Sequence, residues 1–235
     1  MKVEIWSDIA CPWCYVGKRR FEAALAQFPH RDQVEVRWRS FELDPGAVSA
    51  ATAEESAYVD RLARKYGMSL PQSQQMLDSM TATASVAGLD FHFERAVAAN
   101  TFDAHQVIHL AAEHGLQDAM KERLLRAHFT EGLPVGDRDT LVRLAAEVGV
   151  DAGETTRALE SQAHAAAVRA DEEEAGSLGI SGVPFFVVDR TYGVSGAQPA
   201  EQLLSVLERA WAESHPLTMV GGADDTACGP DGCAV

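Results

Sequence analysis

The chain has 235 residues, of which 46% are hydrophobic and 23% charged, and carries 20 Lys and Arg against 35 Asp and Glu, a formal charge of -15. That length suits one large domain, or a small domain carrying an insertion, with a sizeable core. The acidic balance, with no basic stripe to offset it, repels phosphate backbones and anionic bilayers, so neither nucleic acid nor membrane is expected as a partner.

The opening segment MKVEIWSDIACPW has Glu4 and Asp8 where an export signal needs unbroken apolar residues. The expected location is therefore the cytoplasm, where structural disulfides are rare. Val3 and Ile5 alternate as a short strand, and Phe21, Ala24, Leu25 and Phe28 then recur at helical spacing until Pro29. The stretch VEVRWR, residues 34–39, alternates as a half-buried strand with Val34, Val36 and Trp38 inward. Residues 1–43 thus read β-α-β.

Residues 44–178 read as helical nearly throughout. One stripe is Val59, Leu62, Ala63 and Tyr66, ended by Gly67. A second is Ala104, Val107, Ile108 and Ala111, capped by Asn100 and stopped by Gly115. A third is Leu141, Leu144, Ala145 and Val148, capped by Asp137 and closed by Gly149. His105 and His109 could present two ligands at i, i+4, but without a third they read as a packed or solvated pair. The acidic run at 171–174 reads as a solvated helix face. VPFFVVD and TYGVS form a hairpin turning at Asp189-Arg190, and Leu203, Val206, Leu207 and Ala210 mark a last helix from near Pro199. From residue 214 the chain loses periodicity and is rich in Gly, Asp and Pro, the composition of a flexible tail. The order is a discontinuous α/β domain, 1–43 and 179–213, enclosing a helical insertion at 44–178, followed by the tail at 214–235.

The four cysteines fall in two close pairs, Cys11/Cys14 and Cys228/Cys233. Pro12 suits the first position of a helix, which puts Cys11 at the cap, facing unpaired backbone N–H groups and the positive end of the macrodipole. Those favour a thiolate, so Cys11 is expected to have a lowered pKa and to act as nucleophile. Cys14, one turn on, is placed to resolve a mixed disulfide at Cys11. Trp13 between them is pushed outwards as a contact. A zinc ribbon would carry such a pair in a hairpin turn, whereas here it follows a strand and opens a helix, which favours redox chemistry and no metal. Val183-Pro184 reads from sequence alone as a strand-initiating proline with a trans bond.

With these residues in place, the chain resembles the DsbA-like branch of the thioredoxin superfamily, specifically its cytoplasmic FrnE-type members. CPWCYVGKRRFE at 11–22, FELDP at 41–45, NTFDAH at 100–105, GVPFFV at 182–187 and SGAQP at 195–199 carry the likeness in the family's order. The resemblance implies an α/β thioredoxin-like fold with a four-stranded mixed sheet and a large inserted all-helical domain. It implies a protein disulfide oxidoreductase or isomerase, with Cys11 attacking, Cys14 resolving and a cis Val183-Pro184 facing them. Pro184 then belongs to the catalytic set, while Pro12, Trp13 and Val183 bind substrate. Partners are protein or small-molecule disulfides and dithiols; the oligomeric state is open, with a homodimer among the options.

No bound cofactor is implied, although glutathione could serve as a thiol substrate. A nearby branch, the 2-hydroxychromene-2-carboxylate isomerases and kappa-class glutathione transferases, typically has serine at the position of Cys11, which makes a glutathione-dependent isomerase or transferase the alternative. In the tail, Pro230-Asp231-Gly232 can turn Cys228 towards Cys233, and the resemblance implies a second pair that exchanges with the first. An idle, oxidation-prone tail and a four-thiolate zinc site are the competing readings.

Overall fold

A computed structural model describes residues 1–53 and 57–215. Strand β1 (Lys2–Ser7) lies inside a four-stranded mixed sheet of order β2-β1-β3-β4. It pairs parallel with β2 (Glu35–Ser40) and antiparallel with β3 (Phe185–Val188), which continues antiparallel into β4 (Tyr192–Ser195). In register, Ile5 stands opposite Trp38 on one side and Phe186 on the other. Val3, Ile5 and Trp6 are fully buried, as a strand covered on both faces requires. The β3–β4 turn takes positive φ at both Asp189 and Arg190, the geometry that matches the twist of a two-residue hairpin.

Helix α1 (Pro12–Gln27) and the terminal α9 (Ala200–Ser214) pack together against the sheet. Between β2 and β3 lie seven helices among the described residues. They are α2 (Tyr58–Tyr66), α3 (Leu70–Val86), α4 (Phe102–Glu113), α5 (Gln117–Arg126), α6 (Arg138–Glu147), α7 (Ala152–Ser161) and α8 (Ala165–Ser177). A π-turn at Ala127–Glu131 follows α5 directly. No helix among the described residues is long and apolar enough to cross a membrane.

Several local expectations change. The second strand starts at Glu35 because Val34 closes a 3-10 turn, Arg31–Gln33. The cap of α4 is Thr101, with Asn100 one residue earlier accepting from the Phe102 N–H at 3.0 Å. Tyr66 is exposed, since only Ala63 of its stripe is fully covered. Asp137 does cap α6, accepting from the Thr140 N–H at 2.8 Å. His105 and His109 are buried, and His109 Nε2 lies 3.1 Å from Ser40 Oγ.

The acidic run is the largest departure. Asp171 is buried, not solvated, because α8 packs over β2. It accepts from the Ser40 N–H at 2.8 Å and from Arg39 Nη1 at 2.7 Å, and its carbonyl accepts from the Trp6 indole. Arg39 also donates from Nε to buried Glu4 at 2.9 Å, and Arg190 donates to the same carboxylate at 3.0 Å. Burial opposes charge on both carboxylates, but Arg39 and Arg190 on Glu4, and His109, the Ser40 N–H and Arg39 on Asp171, outweigh it and lower both pKa values.

Arg39→Met leaves these two carboxylates short of their shared cation. The expected loss at neutral pH is about 3–5 kcal/mol, read by denaturant unfolding. Carboxylates with depressed native pKa values stabilise the fold above their unfolded values of about 4 and lose that contribution as pH falls through the native ones. The variant's deficit therefore shrinks in acid; a deficit under about 1 kcal/mol at neutral pH contradicts this arrangement.

Candidate active site

Beyond Ser7 the chain turns from β1 into α1 through Asp8, Ile9 and Ala10. Cys11 is the N-cap in extended conformation, Pro12 opens the helix, and the Cys14 N–H donates to the Cys11 carbonyl at 3.0 Å. Both cysteines are free thiols and buried, and Cys11 has a little more of its surface exposed. Cys11 Sγ donates to the Val183 carbonyl at 3.6 Å, across to the loop before β3. The Val183-Pro184 bond is cis, where sequence statistics alone favour trans. Gly17 allows that loop to sit close to α1, because a Cβ there would lie 2.8 Å from Pro184 Cγ. Trp13 is 45% exposed, at the rim. The structure thus brings Cys11, Pro12, Trp13, Cys14, Val183 and Pro184 together. Cys228 and Cys233 lie outside the described residues.

The polar surroundings come from the β1–α1 turn itself, the segment after β2, α4 and α5. Asp8 is buried, accepts from the Leu43 N–H at 2.9 Å, and has Oδ1 3.4 Å from His105 Nε2. Burial opposes its charge, but His105, the Leu43 N–H and Thr101 outweigh it and bring its pKa to about 2. Lys121 of α5 is buried and donates to the Ser7 carbonyl at 3.1 Å. Burial lowers its pKa to about 8, against the opposing pull of Cys14, Asp8 and Cys11.

The titration of the thiol pair differs from the sequence expectation. The hydrogen bond with Cys14, burial and the charge on Cys14 together raise the Cys11 pKa. Burial also resists ionisation of Cys14, yet the hydrogen bond from Cys11 and the Lys121 ammonium overcome it and lower its pKa. A helix N-terminus acts on both sulfurs, whereas the buried ammonium acts more strongly on Cys14 than on Cys11, so local sequence could not assign the asymmetry. Ionisation of one thiol therefore opposes ionisation of the other, and the anion is favoured on Cys14.

Sequence reasoning passed over Asp8 and Lys121. Lys121 did leave a trace: with Met120, Leu124 and Leu125 it occupies the apolar face of α5. Beside Cys11 opens a cavity of about 980 Å³, lined by residues of the β1–α1 turn, α2, α3, the π-turn and the Val183 loop. Cys11 lines it and Cys14 does not. Among the described residues no group of three or more His, Cys, Asp or Glu side chains could hold a metal. A zinc site built from both cysteine pairs would involve residues outside that set.

Residues 2–208 match the DSBA-like thioredoxin domain family. The chain belongs to that family. A probable DsbA oxidoreductase from Streptomyces coelicolor is 51% identical to it, with a TM-score of 0.85 over 100% of this chain and 99% of that one. The cytosolic disulfide reductase DsbM from Pseudomonas aeruginosa, solved with GSH, shares the fold at 21% identity and a TM-score of 0.60, over 90% of this chain and 99% of DsbM. YwbO of Bacillus subtilis (strain 168) is 30% identical over 86% of this chain and 95% of its own length.

Lys121→Met is expected to raise the pH at which the pair forms its first thiolate, because it removes the cation that favours the anion on Cys14. Ultraviolet thiolate absorbance across a pH series reads this directly. An unchanged or lower midpoint contradicts the electrostatic role given to Lys121.

Proposed function

We propose that this member of the DSBA-like family is a thiol–disulfide oxidoreductase or isomerase acting on protein disulfides through Cys11 and Cys14. The observation that carries the reading is the division of access between the two sulfurs. Cys11 faces the cavity and the Val183 carbonyl, and Cys14 lies behind it beside Lys121.

In the reductive direction a proton passes from Cys11 to the Cys14 anion, and the Cys11 thiolate so formed attacks one sulfur of the substrate disulfide, whose S–S bond breaks and releases the other sulfur as a thiol after protonation. Cys14 then gives up its proton and attacks Cys11, releasing the second substrate thiol and leaving a Cys11–Cys14 disulfide. Two electrons pass from the dithiol to the substrate, and an external dithiol resets the pair. The Lys121 ammonium stabilises Cys14 as it ionises for this second attack. Oxidation of a substrate dithiol is the same path reversed.

Val183 offers backbone groups to an extended substrate chain, Pro184 packs against α1 at Gly17 and holds that loop beside Cys11, and Pro12 with exposed Trp13 forms the contact surface. Cys228 and Cys233 act as a secondary redox pair feeding the first. The working division is a thioredoxin-like domain at 1–43 and 179–213, a helical insertion at 44–178 and a tail, in a cytoplasmic protein for which glutathione can serve as thiol substrate. The intact dithiol favours this reading over a glutathione-dependent isomerase or transferase, whose activity would survive Cys14→Ser.

Dithiothreitol-driven insulin reduction tests the assignment. Wild type is expected to turn over, Cys11→Ser to fall to the uncatalysed rate, and Cys228→Ser/Cys233→Ser to slow if the tail pair feeds the first. Turnover by Cys11→Ser, or an inactive wild type that copurifies with zinc, contradicts it.

A further inference from the structure

The π-turn holds a buried group that the thiol exchange does not use. His128, in the π-turn after α5, is 1% exposed and lines the cavity that ends at Cys11. Neither of its ring nitrogens has a hydrogen-bond partner among the described residues. Buried imidazoles are ordinarily satisfied, and one left bare on both nitrogens is costly. The local backbone is unusual too: the turn Ala127–Glu131 departs from the α-helical pattern at the place where the ring is presented, and such π-turns recur at functional sites. Burial and the nearby Arg61 cation push its pKa down to about 4. At neutral pH the ring is therefore uncharged, with one N–H to donate and one nitrogen to accept.

The walls between His128 and Cys11 divide by chemistry. Leu62, Leu77, Met80 and Phe93 supply an apolar lining, and Arg64 and Lys65 of α2 stand among the exposed lining residues. With Arg61 they make three cations against the two carboxylates of Asp8 and Asp44 in the lining, which in a chain of net charge -15 is a local reversal of sign. A volume of about 980 Å³ is in the range of sites that enclose small organic molecules.

We propose that this cavity is a binding site for a small organic thiol or disulfide bearing a carboxylate on an apolar arm, with the sulfur at Cys11, the arm along α2 and α3, and a hydrogen bond to His128. The site rests on the thiol-exchange reading for its chemistry but not for its binding. In turnover, the enclosed disulfide oxidises the Cys11–Cys14 dithiol and leaves as two thiols; dithiothreitol supplies the two electrons that reset the pair.

The test uses the full chain and an unreactive thioether, para-(methylthio)benzoate, with the cationic thioether 2-(methylthio)ethylamine as comparator, both by titration calorimetry. The benzoate is expected to bind at least about tenfold more tightly than the amine. His128→Phe is expected to weaken it by about tenfold, and His128→Gln, which keeps a neutral donor and acceptor, to restore it to within about threefold. The double charge reversal Arg64→Glu/Lys65→Glu, on exposed positions, is expected to narrow or invert the preference between the two probes. No binding by wild type, equal affinity for the two probes, or a folded His128→Phe that binds as wild type does overturns the site. Turnover of bis(para-carboxyphenyl) disulfide separates the two claims: thioether binding without any such turnover upholds the site and counts against thiol exchange.

Discussion

A carboxylate taken out of water must be met by cations or hydrogen-bond donors, and strand β1 with its following turn buries two of them, Glu4 and Asp8. Their partners come from well separated parts of the chain. Glu4 draws Arg39 from β2 and Arg190 from the hairpin, and Arg39 in turn reaches Asp171 on α8. Asp8 draws the Leu43 N–H and His105 from α4. These contacts tie the helices that interrupt the α/β elements to the central strand. The β1–α1 turn, and with it Cys11, is held between the two groups. Hydrophobic burial supplies most of the driving force, but it is non-directional, and the charged contacts fix the register of helices against sheet.

The same arrangement sets the electrostatics of the thiols. The helix N-terminus faces both sulfurs, while Lys121, anchored on the Ser7 carbonyl, biases the pair towards an anion on Cys14. Access runs the other way, since it is Cys11 that lines the cavity. One sulfur thereby faces the cavity and the other is favoured to hold charge.

What was legible in the sequence was local. The β-α-β opening, the Pro12 helix start, the Asp137 cap and the Asp189-Arg190 turn are each determined by a few consecutive residues whose conformational preferences agree with the fold. The four-stranded mixed sheet followed from the family resemblance and is the one observed. What was not legible depended on partners far along the chain. Asp171 sits in an acidic run that looks solvated until α8 packs on β2, and Arg39 looks like the polar side of an alternating strand until Glu4 and Asp171 claim it. Lys121 and His128 look like ordinary helix residues; only tertiary packing removes them from water and turns them towards the sulfurs and the cavity. The expectation of a lowered pKa at Cys11 failed for the same reason, because it counted the helix end and not the burial of the sulfur or its hydrogen bond with Cys14.

The division of labour between the two sulfurs is tested most directly by trapping. Cys14→Ser, incubated with a disulfide substrate and digested without reductant, is expected to carry a stable mixed disulfide on Cys11 by mass spectrometry. Cys11→Ser under the same conditions is expected to leave Cys14 unmodified. An adduct on Cys14 in the second variant, or none on Cys11 in the first, would contradict the placement of Cys11 as the sulfur that meets substrate.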